Sequence, residues 1–102
     1  MAMTVTWYFA YGRNMNVFRL RERISENPFL TCRGILPGYR MVFNKSPGPE
    51  NGLGYANVMP EAGGYVEGVL YLLSERSLSC LDRCEKGYVR RLMTVWNIDH
   101  QR

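Results

Sequence analysis

A chain of 102 residues with 46% hydrophobic residues, 22% charged residues and a net charge of +4 has the balance of one globular domain, not of a disordered or fibrous segment. No apolar run approaches the roughly 20 residues that span a bilayer, and Met1 to Thr6 has neither the basic start nor the apolar core of a signal peptide. A cytoplasmic protein without membrane association is therefore expected. Eleven arginines against two lysines supply the positive charge, and such a surface attracts phosphates or carboxylates. The arginines are dispersed, and neither RNP aromatics nor a zinc finger accompanies them, which argues against nucleic acid as the partner.

Trp7-Tyr8-Phe9-Ala10-Tyr11 reads as the first strand, with Trp7, Phe9 and Tyr11 on one face, Tyr8 and Ala10 on the other, and cover expected on both. Gly12-Arg13-Asn14 then turns the chain into a helix. Gly12 and Asn14 tolerate positive φ, and a turn that uses it can aim successive backbone N–H groups at one anion; a ligand-free strand-to-helix turn is the alternative. Val17, Leu20 and Ile24 form an i, i+3, i+7 stripe, with Asn14 or Asn16 as the cap and Asn27-Pro28 as the stop. The positive end of that helix points back toward Gly12 and Arg13, which favours an anion there.

Leu30 to Arg33 and Tyr39 to Asn44 read as two strands separated by a Pro37-Gly38 turn. Lys45 to Gly54 reads as a loop, Tyr55 to Met59 as a short strand, Pro60 to Gly64 as a turn, and Tyr65 to Leu73 as a central strand. Ser74 caps a second helix that Gly87 ends. Val89 to Ile98 reads as a last strand, giving about six strands and two short helices in a single domain, residues 1–102. Cys32, Cys80 and Cys84, with His100, set neither a disulfide framework nor zinc spacing, so packing is the expected role of the cysteines and no metal or other cofactor is expected.

On the second helix, Leu78, Leu81 and Glu85 share one stripe, which puts a carboxylate where an apolar residue belongs. Partial desolvation and the negative end of the helix dipole both favour its protonated form and raise its pKa toward neutrality, the range of a general acid or base. Alternatively Glu85 pairs with Arg83, Arg90 or Arg91, or reaches water at the helix end.

Tyr8-Phe9-Ala10-Tyr11-Gly12-Arg13-Asn14-Met15 resembles the YFAYGSNM signature of the gamma-glutamylcyclotransferase-like (AIG2-like) family, departing from it at Arg13, where that family has Ser. Gly38 to Asn44, Gly54 to Pro60 and Val66-Glu67-Gly68-Val69-Leu70-Tyr71 resemble its following strands. Leu81-Asp82-Arg83-Cys84-Glu85 resembles its LDxxEG helix end, and Lys86 to Arg91 its tyrosine-containing segment. The resemblance is collinear from Tyr8 to about Val95. It implies an α+β fold, a small mixed, partly open β-barrel with two short helices. The family usually continues past the position of Arg102 with another strand and a helix or tail, so the chain is expected to be a minimal version, one whose site a neighbouring protomer completes, or a truncated one. It implies cyclisation of a γ-glutamyl amine or amino acid to 5-oxoproline or a related lactam, with Glu85 as the acid/base. Tyr8, Tyr11, Gly12, Arg13, Asn14 and Tyr88 would then bind substrate.

A non-catalytic carboxylate-binding module on the same fold is the alternative, and a basic nucleic-acid-binding barrel a further one. A homodimer is expected, because a late strand carrying Leu92, Met93, Val95, Trp96 and Ile98 near the chain end is hard to bury within one small domain.

Overall fold

The computed structural model describes residues 4–45, 55–84 and 91–99. Among them, four strands form one open antiparallel sheet, β1 (Val5–Ala10), β2 (Leu30–Lys45), β3 (Tyr55–Ser74) and β4 (Trp96–Asn97), in the order β1-β3-β2-β4. Two helices, α1 (Val17–Ile24) and α2 (Glu75–Cys84), complete the α+β fold.

The helix N-caps act as their chemistry predicts, whereas Gly87, expected to end the second helix, lies outside the described residues. The Asn16 side chain accepts hydrogen bonds from the amides of Phe18, at 2.9 Å, and Arg19, at 3.4 Å, so Asn16 is the cap of α1 and Asn14 is left for another role. Ser25 ends α1 in the left-handed conformation, at φ 59°, before Asn27-Pro28 is reached. The Ser74 hydroxyl accepts from the Ser77 amide at 3.1 Å and caps α2.

Both helices lie on one face of the sheet. Leu20 and Ile24 of α1 and Leu78 and Leu81 of α2 close over Ala10, Tyr71 and Leu73, with Tyr8, Val17, Val69 and Cys80 at the margin. Each of the fully buried leucines contributes on the order of 1.5–3 kcal/mol. The opposite face is covered only in part: Leu36, Val66 and Leu70 are buried, whereas Trp7 stays 44% exposed. The expectation of a first strand covered on both sides is thus corrected, because the helices shield only the side that carries Tyr8 and Ala10.

Among the described residues, fewer and longer strands replace the six expected. Pro37-Gly38 does not separate two strands, and neither does the segment from Pro60 to Gly64. Pairing runs Pro37 to Tyr65 and resumes at Tyr39 to Pro60, so residues 61–64 of β3 bulge out opposite Gly38. Gly38, at φ 83°, and Gly63, at φ 81°, supply the left-handed backbone that this bulge needs. Arg40 Nε meets Glu61 Oε1 at 3.1 Å across it.

The strand expected over Val89 to Ile98 is also corrected where it is described, since residues 91–95 are not strand and only Trp96 and Asn97 pair, with Ile35 and Gly34. The ladder ends there because Arg33, next along β2, is engaged by a turn. Its carbonyl accepts from the Ile98 amide at 3.1 Å, and its amide donates to Asp99 Oδ2 at 2.7 Å. The accompanying Arg33–Asp99 ion pair, at 2.8 Å, is largely exposed and adds little.

Candidate functional site

The aromatic strand delivers the chain into a single 3-10 turn, Arg13–Met15, that leads through Asn16 into α1. The Met15 amide donates to the Gly12 carbonyl and the Asn16 amide to the Arg13 carbonyl, each at 3.1 Å. Neither Gly12, at φ −121°, nor Asn14 uses the positive φ that its residue type tolerates. The i→i+3 bonds close the bend without it. The turn's own two bonds draw on the amides of Met15 and Asn16, and the amides of Arg13 and Asn14 lead it.

Asn14 is only 6% exposed and points inward. Its Nδ2 donates to the Tyr8 hydroxyl at 3.1 Å. The turn is held a second time from β3, where the Tyr71 hydroxyl, in a side chain with 0% exposure, donates to the carbonyls of Asn14 at 2.8 Å and Met15 at 3.0 Å. Tyr8 and Tyr71 are directly paired across β1 and β3, and their rings stack at 6.4 Å between centroids. Burial pushes the Tyr71 phenol above its ordinary value of 10.0, so it remains a neutral donor.

Gly68 admits the strand end that feeds the turn: a Cβ there would overlap the Ala10 carbonyl oxygen and lie 2.7 Å from the Phe9 ring. Tyr11 is half-buried, with its ring 6.2 Å from that of Phe9, while Gly12 and Arg13 are exposed. Of the residues expected to bind substrate, Tyr8 and Asn14 are therefore bonded to each other. Tyr71 had not been singled out, although its signal was available: a phenol inside the aliphatic run Val66 to Leu73 must find an acceptor when it is buried.

Glu85 and Tyr88 lie outside the described residues. Up to Cys84, α2 follows the expected stripe, with Leu78 and Leu81 buried. Leu81, in its last turn, belongs to the same packed cluster as Ala10, the residue that ends β1. A cleft of about 560 Å³ opens elsewhere, between the end of α1 at Ile24 to Glu26 and the outer side of α2 at Arg76, Cys80 and Arg83. Beside it Glu26 accepts hydrogen bonds from the hydroxyls of Ser74, at 3.3 Å, and Ser77.

The family model described as "Gamma-glutamyl cyclotransferase, AIG2-like" matches residues 8–102. The chain belongs to that family. Among solved structures, it resembles an uncharacterized Homo sapiens protein, loc79017, at TM-score 0.70 and 27% identity, covering 79% of this chain and 49% of that one. A structure named Gamma-glutamyl cyclotransferase matches at TM-score 0.69 and 25% identity, again over 79% of this chain and 49% of the other. YkqA from Bacillus subtilis matches at TM-score 0.58 and 30% identity, over 80% of this chain and 30% of that one. The chain thus spans about half the length of the first two relatives. No curated protein matches it significantly. The fold of this AIG2-like chain agrees with these structures, and among the described residues no helix is long and apolar enough to cross a membrane.

Proposed function

We propose that this AIG2-like chain is a cyclotransferase-type enzyme that acts on a γ-glutamyl amine or γ-glutamyl amino acid and releases the free amine with 5-oxoproline or a related lactam. The observation that carries the reading is the family match, which takes in both the Tyr11 to Asn14 turn and Glu85. The packing of Leu81 in one cluster with Ala10 supports it, because the end of α2 and the end of β1 then share a core.

In the reaction the substrate's α-amine attacks its own γ-carbonyl, a five-membered ring closure that benefits from intramolecular proximity. The attacking ammonium must first lose a proton, and that proton is assigned to Glu85 as general base. Charge then develops on the former carbonyl oxygen. The leading amides of the Arg13–Met15 turn are assigned to that oxygen or to the substrate's α-carboxylate. Collapse breaks the original C–N bond while Glu85 passes protons from the attacking nitrogen to the departing one, so one C–N bond forms, one breaks and no water is consumed. Tyr8, Tyr11, Gly12, Arg13, Asn14 and Tyr88 are assigned to substrate binding. Arg13 offers a charge-assisted bond to a carboxylate that Ser does not.

A non-catalytic carboxylate-binding module is the second reading, favoured by the exposed cation of Arg13 in a turn where the family has Ser. The first reading also takes the protein as a cytoplasmic homodimer, since Trp96 on β4 is 62% exposed and Leu92 is fully exposed, a surface that a two-fold partner would cover.

Titration with 5-oxoproline and a panel of γ-glutamyl amines separates the readings. A ligand at 100 times its Kd stabilises the native state by about 2.7 kcal/mol, and a rise in melting temperature is expected for at least one compound. Turnover in wild type that is lost in Glu85→Gln, with the thermal shift kept, supports the enzyme. A shift without turnover in wild type favours the binding module, and no shift with any compound contradicts both.

A further inference from the structure

We propose that Tyr71 is a positioning residue for the reaction, its hydroxyl aiming the leading amides of the Arg13–Met15 turn by holding the carbonyls behind them. The inference rests on the cyclotransferase reading above and adds to it a residue that touches no substrate.

A carbonyl and the N–H of the next residue share one rigid plane, so fixing the one fixes the other. The Tyr71 hydroxyl binds the Asn14 carbonyl at 2.8 Å, and the same plane carries the Met15 N–H. That N–H binds the Gly12 carbonyl at 3.1 Å, whose plane carries the Arg13 N–H. A parallel route starts from the 3.0 Å bond to the Met15 carbonyl. Its plane carries the Asn16 N–H, which binds the Arg13 carbonyl at 3.1 Å, in the plane of the Asn14 N–H. Both leading amides are thus set through two peptide planes by one hydroxyl proton shared between two carbonyls. Each bond in such a relay also polarises the next.

The anchor is firm. Tyr71 lies on β3, which pairs on both sides, with Tyr8 of β1 and Thr31 of β2 opposite it. Its ring is fully buried against the ring of Tyr8, and the Tyr8 hydroxyl ties down the Asn14 side chain. A site mounted on a rigid strand holds its geometry better than one held by a loop alone. Tyr71→Phe preserves the ring and its stacking while removing the hydroxyl, and with it the proton that the two carbonyls share.

The test compares wild type, Tyr71→Phe and Ser77→Ala. The last removes a buried hydroxyl bonded to Ser74 and Glu26, on α2, with no bond to the turn. In Tyr71→Phe, kcat on a γ-glutamyl amine should fall on the order of 10- to 100-fold, as for misaligned catalytic groups, with KM changed less than about threefold. Hydrogen exchange of the Met15 and Asn16 amides, the two bonded within the turn, should quicken about tenfold in Tyr71→Phe and stay at the wild-type rate in Ser77→Ala. Equal exchange in the two variants, or faster exchange with kcat intact, overturns the proposal. A wild-type protein that turns over no γ-glutamyl compound sinks the cyclotransferase reading instead, while the exchange comparison still decides whether Tyr71 orders the turn. Should Tyr71→Phe fail to fold, wild type decides by NMR. Saturating 5-oxoproline should shift the Arg13 and Asn14 amides together with the Tyr71 hydroxyl proton, and amides that move while the hydroxyl stays put overturn the coupling.

Discussion

Gly68→Ala tests how the sheet delivers the chain to the turn, because two opposed effects meet at that residue. Replacing glycine by alanine on an ordinary strand restricts the unfolded chain and stabilises by about 0.4–1 kcal/mol. At Gly68, however, the new methyl group meets the backbone carbonyl oxygen of Ala10 and lies 2.7 Å from the Phe9 ring. A carbonyl inside a ladder cannot swing aside as a flexible side chain can, so β1 must shift away from β3 or the ladder must open. Overpacking of this kind costs about 1–3 kcal/mol, which outweighs the entropic gain and leaves a net loss of roughly 1–2 kcal/mol. A domain of this size loses roughly 4–8 °C of melting temperature per kcal/mol, so a fall of about 4–16 °C is expected in calorimetry. Because the displaced residue stands just before Tyr11, the Gly12 to Asn16 amides should also shift in a two-dimensional NMR spectrum. A variant as stable as wild type, with those resonances unmoved, would refute the reasoning.

Two further outcomes follow from the same structure. Burial raises the Tyr71 pKa above 10.0, so the folded state holds that proton more tightly than the unfolded chain. The associated stability is fully present below pH 10 and is lost as pH rises through the raised value. Alkaline unfolding should therefore be steeper for wild type than for Tyr71→Phe, and equal slopes would contradict it. In sedimentation at micromolar concentration the wild type should run as a dimer that Trp96→Ala dissociates, and a monomeric wild type would reject the proposed two-fold contact.

Much of the fold could be read from local chemistry. Asn16, Ser74 and the Leu20/Ile24 and Leu78/Leu81 stripes place both helices, because caps and apolar periodicity act within a few residues. The long strands β2 and β3 were less legible. Pro37-Gly38 and Gly63-Gly64 carry turn chemistry, and only the pairing of the two segments with each other makes those signals a bulge within continuous strands. The exposure of Trp7 was equally hidden, because alternation marks two faces without saying which of them the helices cover.

At the candidate site, the sequence pointed to Tyr8 and Asn14 but not to the bond between them, nor to Tyr71, 57 residues from Asn14 along the chain. That contact exists because Tyr8 and Tyr71 come into register across β1 and β3, a fact of topology with no local trace. The positive φ that Gly12 and Asn14 tolerate goes unused for a related reason: two i→i+3 bonds and the bond from Asn14 to Tyr8 satisfy the bend by another route.

The central claim is the assignment of ring closure to this chain with Glu85 as its acid/base. The most direct measurement is the appearance of 5-oxoproline from a panel of γ-glutamyl amines and γ-glutamyl amino acids, followed by chromatography for wild type and Glu85→Gln. Loss of a general acid/base lowers the rate on the order of 10²- to 10⁴-fold. The account predicts product from at least one compound with wild type, and a loss of that size in a Glu85→Gln protein that keeps its melting temperature. Turnover by Glu85→Gln at the wild-type rate would contradict it.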